Sequence, residues 1–150
     1  MEIYKHKYRV RVCGICIDEQ RILLVKQEGL AHIPYLWIPP GGGLEFGETL
    51  QDALKREFFE ETTLEIEVGN LLFTSQYVAP PFHAVEFFFE VSIQKEKIKE
   101  NYSPPNEPSL AEVCWLNFEE LSKIPNAYKH KFLRNINSIA EIRDLPRLLP

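Results

Sequence analysis

The sequence is poor in long apolar runs, and neither a membrane-spanning helix nor an export signal is expected of it. No apolar run approaches the ~20 residues that cross a bilayer, and the first eight residues, MEIYKHKY, contain no apolar signal-peptide core. Positive charge is also scarce, with 17 Lys and Arg against 22 Asp and Glu and a net charge of −5. That balance argues against a general binder of nucleic-acid polymers, because neutralising phosphates takes clustered cations. Cysteine is limited to three residues, which fits a cytoplasmic protein. At 150 residues, about 70% of the unfolded surface can be buried, so folding requires neither disulfide nor structural metal. Length and ordinary composition predict one soluble cytoplasmic domain spanning residues 1–150.

Several familiar chemistries are missing. Cys13-Gly14-Ile15-Cys16 spells C-x-x-C, a spacing used by redox and zinc sites. It lies in a stretch rich in β-branched residues, where positions three apart face opposite sides of a strand. Two such thiols cannot share a metal or a bridge, and both read as buried small hydrophobes. Gly41-Gly42-Gly43 lacks the Lys-Ser/Thr of a P-loop, and Phe46 occupies the place of a dinucleotide fingerprint's last glycine. No G-x-S-x-G is present for a serine hydrolase. The four histidines are isolated in sequence, with His83 the best placed to approach a pocket. Tyr35, Tyr77 and Phe82 sit at strand ends, where they serve as core or as stacking surfaces. Lys129, His130, Lys131 and Arg134 read as a solvated helix face.

What is present alternates strands with helices. Strands are expected over Tyr8–Ile17, Arg21–Lys26, about Glu65–Thr74 and Ala84–Ile93, with short apolar runs at Leu36–Ile38 and Val113–Leu116. Pro39-Pro40-Gly41-Gly42-Gly43 ends the third run and is expected as a turn. Asn101–Ser109 holds three prolines and reads as loop. Thr49–Thr62 is the clearest helix, opened by Thr49 with Asp52 in a capping-box arrangement. Phe118–Leu121 and Tyr128–Ile142 have helical composition, stopped at Pro146. The class is α/β or α+β with a mixed sheet, and α+β is the expectation taken forward.

The helix breaks its own amphipathic pattern. Leu50, Ala53, Leu54 and Phe58 form one apolar face, but seven residues on from the first three that face carries Glu57, Glu60 and Glu61. At i, i+3 and i+4 these carboxylates converge within one turn, and like charges so placed destabilise a helix. Facing water is one way to tolerate them. The other is a hard cation: oxygen ligands select Mg²⁺, Mn²⁺ or Ca²⁺ over zinc, and Mg²⁺ prefers a few carboxylates plus substrate phosphates. Gln51, Asp52, Lys55 and Arg56 form the solvated face, and Phe59 on it is an exception. Arg56 is within reach of Glu60. The glycine run ahead of the helix lets backbone approach an anion or offer a carbonyl to a metal.

Gly42, Glu48, Arg56-Glu57, Phe58, Glu60-Glu61 and Leu64 follow the spacing G-x5-E-x7-R-E-U-x-E-E-x-G-U, with U a bulky apolar residue. This resembles the Nudix box of MutT-like hydrolases. A chance match to its six fixed positions is of order one in a hundred thousand. One position departs, since Thr63 stands where the family has its late glycine. The flanking Trp37–Gly42, Arg21–Val25, Glu112–Trp115 and Glu119–Leu121 are similar to the family's neighbouring segments.

The resemblance implies an α/β/α sandwich around a mixed sheet. It also implies hydrolysis of the pyrophosphate bond in a nucleoside diphosphate linked to some group X (a nucleoside triphosphate, a nucleotide sugar or an ADP-ribose-like molecule). Carried over by position, Glu57, Glu60, Glu61 and the carbonyl of Gly41 are metal ligands for Mg²⁺ or Mn²⁺. Arg56 joins the three glutamates in the catalytic set, with Glu107 as a further acid and Glu112 as the second choice. Gly42, Gly43 and Glu48 are assigned to the substrate side, Glu48 and Arg56 also locking loop to helix. The expected partner is a small nucleotide, with no nucleic-acid polymer or membrane and with a homodimer left open. A non-catalytic nucleotide sensor on the same fold is the competing reading. Pro80 lies 16 residues beyond Leu64, where many ADP-ribose hydrolases of the family carry proline, but a dNTP-cleaving role is equally compatible.

Overall fold

The computed structural model describes residues 2–30, 32–93 and 110–150. Seven strands and three α-helices run in the order β1 (Tyr8–Asp18), β2 (Arg21–Glu28), β3 (Tyr35–Ile38), β4 (Gly41–Gly43), α1 (Leu50–Thr62), β5 (Ile66–Ala79), β6 (Phe82–Ile93), β7 (Leu110–Asn117), α2 (Phe118–Lys123) and α3 (Ile139–Arg143). The sheet order is β3-β2-β1-β6-β5, with β4 also paired to β1 and β7 to β2. β1 and β6 are parallel and the remaining pairs antiparallel, so the sheet is mixed, as the sequence implied. The loop expected over Asn101–Ser109 lies outside the described residues.

Both faces of the sheet are covered, which is why Val12–Ile17 of β1 and Ile22–Val25 of β2 carry no charged residue. Val12, Cys16, Leu23 and Val25 pack with Ala53, Leu54 and Phe58 of α1. Cys13, Ile15, Ile22 and Leu24 pack on the other side with Leu121, Phe132, Leu133 and Ile142. Cys13 and Cys16 therefore point into different cores, as the strand alternation required. Burial pushes both thiols up to about 12, so neither is a nucleophile at neutral pH.

Three expectations are corrected. The glycine run is a strand, not a turn: Gly41, Gly42 and Gly43 pair with Cys13, Val12 and Arg11. The helix expected over Tyr128–Ile142 is broken into 3-10 turns at Asn126–Tyr128 and Lys131–Leu133 followed by the five-residue α3. Tertiary hydrogen bonds override helical composition there, since the His130 N–H donates to the Trp37 carbonyl at 3.0 Å and Lys129 bridges to Trp37. The expected solvated face fails with it at Lys129 and His130, while Arg134 is exposed as expected. Lys129 is buried, its Nζ donating to the Leu121 carbonyl at 2.9 Å, and His130 is turned inward.

Helix α1 begins where expected, with Thr49 Oγ1 accepting the Asp52 N–H at 3.1 Å. It ends at Thr63, whose φ of 62° is the left-handed conformation that the family's glycine adopts without strain. Thr63 makes the single αL-motif bond from its N–H to the Phe59 carbonyl, and its hydroxyl donates to the Thr62 carbonyl at 2.6 Å. A β-branched residue at positive φ is costly. Thr63→Gly is therefore expected to raise stability by about 1 kcal/mol with turnover unchanged. Urea unfolding checks this, and a loss of stability would mean the hydroxyl bond outweighs the strain.

Candidate active site

The site is assembled where β4 lies between β1 and α1. A side chain at Gly41 would put its Cβ 2.0 Å from the Val12 carbonyl oxygen, so backbone pairing this close demands glycine. The Gly41 N–H in turn points at the Glu61 carboxylate, 3.3 Å from Oε2. At Gly42 the place of a Cβ is filled by the Glu57 carboxylate, 2.3 Å from its Cδ. The glycines are thus the surface against which two glutamates of α1 are held.

Arg56 ties these parts together. Its Nε and Nη2 donate to the two oxygens of Glu48, each at 2.8 Å, a bidentate fork. Nη2 also donates to the Gly43 carbonyl at 3.1 Å, and Nη1 to Glu57 Oε1 at 2.9 Å. Nη1 lies 3.5 Å from Glu60 Oε2 as well, the pairing expected from the i, i+4 spacing. Glu48 takes a further bond from the Glu45 N–H. The Arg56 fork and that N–H hold the Glu48 carboxyl down at about 2, so the lock stays charged well into acid. Arg56 is driven in the opposite direction by Glu48 and Glu57 and is cationic at any relevant pH.

The three helix acids differ in environment. Glu61 is buried at 6% exposure, Glu57 is mostly covered, and the Glu60 side chain is 44% exposed. Among the described residues no three His, Cys, Asp or Glu side chains are drawn tightly enough together to hold an ion as they stand, Arg56 bridging Glu57 and Glu60. The donor set nevertheless fits a hard divalent cation: three carboxylates within one turn, beside the backbone of Gly41, with no soft ligand among them. Glu107 lies outside the described residues. Glu112 is on β7 opposite Lys26, alternating with Val113 and Trp115 of the α1-side core, so it faces the other side of the sheet. Gly43 adjoins the Arg9 guanidinium, whose Nε would be 3.5 Å from a Cβ there. Phe59 is half exposed, and nothing in the structure explains it.

Sequence reasoning missed a polar group on the other face of β1 and β6. Glu86 is buried and accepts a hydrogen bond from His130 Nε2 at 3.0 Å. The Phe132 N–H approaches His130 Nδ1 at 3.3 Å, which makes Nε2 the protonated nitrogen. Burial works to raise the Glu86 pKa, but His130, Arg11 and Lys131 outweigh it and hold it below the ordinary value. Arg9 and Arg11 stand on this face too. Their alternation in an otherwise apolar strand was a readable signal; the position of His130 was not. His83 instead packs its ring edge-on to Tyr8. An open groove of about 760 Å³ lies elsewhere, lined by residues such as Glu67, Glu90 and Arg143, and contains none of the helix acids.

Comparison with known proteins agrees with this geometry. The chain is 33% identical over 128 residues to phosphatase NudJ of Shigella boydii, covering 80% of this chain and 75% of that protein. It is 30% identical over 96 residues to an 8-oxo-dGTP diphosphatase of Proteus vulgaris, covering 64% of this chain and 86% of the relative. The fold superposes on a MutT Nudix hydrolase from Burkholderia pseudomallei with a TM-score of 0.66 at 21% identity, over 85% of this chain and 95% of the other. The model of the NUDIX domain matches residues 7–136. By that match, which takes in the glycine strand, the acidic helix and the sheet they rest on, the chain belongs to the Nudix family.

Proposed function

We propose that the protein is a Mg²⁺-dependent hydrolase that cleaves the pyrophosphate bond of a nucleoside diphosphate linked to X, residues 1–150 forming one catalytic domain. The observation that carries this reading is the acidic turn of α1, with Glu57 and Glu61 seated against glycine backbone and Glu57 and Glu60 bridged by Arg56. Three carboxylates within one helical turn, two of them largely buried, share Arg56 at two of the three positions and favour a bound divalent ion as well. Glu57, Glu60, Glu61 and the Gly41 carbonyl would hold it. When bound, Mg²⁺ neutralises phosphate charge and lowers the pKa of a coordinated water.

The chain's own residues set the geometry. Arg56 fixes Glu57 and clamps the loop through Glu48, so the acids are aimed before substrate arrives. Gly42 lets the Glu57 carboxylate lie directly on β4. Glu107 remains the candidate for the further acid that accepts a proton from the attacking water. The 8-oxo-dGTP diphosphatase among the relatives puts nucleoside triphosphates first among the substrates to try, with the nucleotide sugars and ADP-ribose of the sequence reading next.

The expected result in a nucleotide panel is turnover with Mg²⁺ or Mn²⁺ that vanishes in excess chelator and returns on adding metal back. Chromatography of the nucleoside monophosphate product, with phosphate detected after a coupling pyrophosphatase for triphosphate substrates, measures both halves. Full turnover in excess chelator overturns the proposal, and binding without any turnover favours the sensor reading.

A further inference from the structure

We propose that Arg9 and Arg11 form an oxyanion grip that binds the diphosphate of the substrate beside the acidic turn of α1. The inference rests on the hydrolase reading above for the identity of its ligand, and it assigns the binding to strand β1 rather than to the glycine run or Glu48.

Arg9 and Arg11 alternate on β1 and so share the sheet face that carries Cys13 and Ile15. Both Nε atoms are buried, and neither has a hydrogen-bond partner. Buried donors in folded proteins are almost always satisfied, and two adjacent exceptions on one strand ask for an acceptor that the chain itself does not supply. Arg9 is held in place from both sides, its guanidinium 4.3 Å from the centre of the Tyr4 ring and close over Gly43. Burial and then the charge of Arg11 lower the Arg9 pKa, so the two cations compete. Burial also opposes the charge of Arg11, but Cys13, Glu86, Glu61 and Glu57 more than offset it. Arg11 stands on the sheet face away from the α1 core, yet Glu61 and Glu57 are among the charges that act on it.

The chemistry of the ligand follows from the charges around it. A diphosphate brings more negative charge than one divalent ion neutralises, and Glu48, Glu57, Glu60 and Glu61 all repel it. Arg56 is unable to help, because all three of its nitrogens are committed to Glu48, Glu57 and Gly43. Arg9 and Arg11 are the guanidiniums near the acids with Nε donors still open. A guanidinium fork matches phosphate oxygens two at a time, which a lysine does not. An anion between the two arginines satisfies their Nε donors and relieves their mutual repulsion at once.

The test titrates inorganic pyrophosphate, with Mg²⁺ present, into wild type and the Arg9→Gln, Arg11→Gln, Arg9→Lys and Arg11→Lys variants by calorimetry. The same proteins are run in steady-state kinetics on whichever nucleotide is turned over. The Gln variants are expected to bind pyrophosphate at least about tenfold more weakly and to raise KM by a similar factor, with the Lys variants between. A role confined to structure would move melting temperature and leave KM alone. Should the variants fold poorly, phenylglyoxal labelling of wild type gives the same answer, because pyrophosphate should protect Arg9 and Arg11 but not the exposed Arg134 and Arg147. Wild type that binds no pyrophosphate, folded variants with affinity and KM within twofold of wild type, or an absence of protection each overturn the grip. Pyrophosphate binding through these arginines without any nucleotide turnover would instead leave the grip standing and remove the hydrolase reading.

Discussion

Glu61→Gln and Glu60→Gln are each expected to lower turnover at least about a hundredfold while the metal-free protein melts within a few degrees of wild type. The two positions test one idea from different environments. Glu61 is buried, and its carboxylate meets the Gly41 N–H. Glutamine keeps the shape and an oxygen to accept that N–H, while removing a charge from the low-dielectric interior. Glu60 is more exposed and reaches Arg56 only at 3.5 Å, so its contribution to folding is small, as exposed ion pairs generally are. In both variants the like-charge repulsion within one helical turn falls. Leu54→Ala is the contrasting control. Leu54 is fully buried against the sheet, and its truncation should cost about 2–5 kcal/mol while leaving the acids in place. Chelator-treated thermal melts beside kinetics of the three variants give the comparison. Should either Gln variant lose kcal/mol of apo stability and keep its turnover, these glutamates are scaffold and the proposed mechanism fails.

The acidic turn was legible because it violates a periodicity. A buried helix face that runs Leu50, Ala53, Leu54, Phe58 and then meets three glutamates is a conflict that local rules do not produce, and such conflicts gather at functional sites. The structure adds the gradient that periodicity leaves out: Glu61 buried, Glu60 half in solvent, and Arg56 committed chiefly to Glu48 rather than to Glu60. Strand β4 was illegible for a physical reason. Three glycines carry no strand preference of their own, and they pair with β1 because only glycine permits so close an approach to the Val12 carbonyl and the Glu57 carboxylate. The C-terminal stretch misled in the opposite way. Lys129 and His130 sit in helix-like composition, but a carbonyl on β3 and another on α2 capture their donors, and no window of sequence records those partners. Arg9 and Arg11 fall between these cases, readable as a charged pair on β1 yet uninterpretable until their Nε atoms proved buried and without a partner.

Gly42→Ala and Gly41→Ala are expected to fail in different ways, although they sit side by side on one strand. At Gly42 the new methyl would fall 2.3–2.6 Å from the carboxylate atoms of Glu57. That group is the far end of a flexible side chain, so it can move aside. Folding then loses little, but the Glu57 bond to Arg56 at 2.9 Å is disturbed. A displacement of about 1 Å at a reacting centre costs on the order of a hundredfold in rate, and turnover of Gly42→Ala should drop by that factor. At Gly41 the methyl would meet the Val12 carbonyl oxygen at 2.0 Å and the Cys13 Cα at 2.7 Å. These are backbone atoms of the central strand β1, and they cannot yield without breaking the β1–β4 pairing. The cost there should reach about 3 kcal/mol or more, with activity lost because the site is no longer built. Urea unfolding and metal-loaded kinetics on both variants separate the outcomes. Normal turnover in Gly42→Ala would mean that the seat of Glu57 on β4 is dispensable, and Glu57 would then have to be removed from the set of residues that hold the cation.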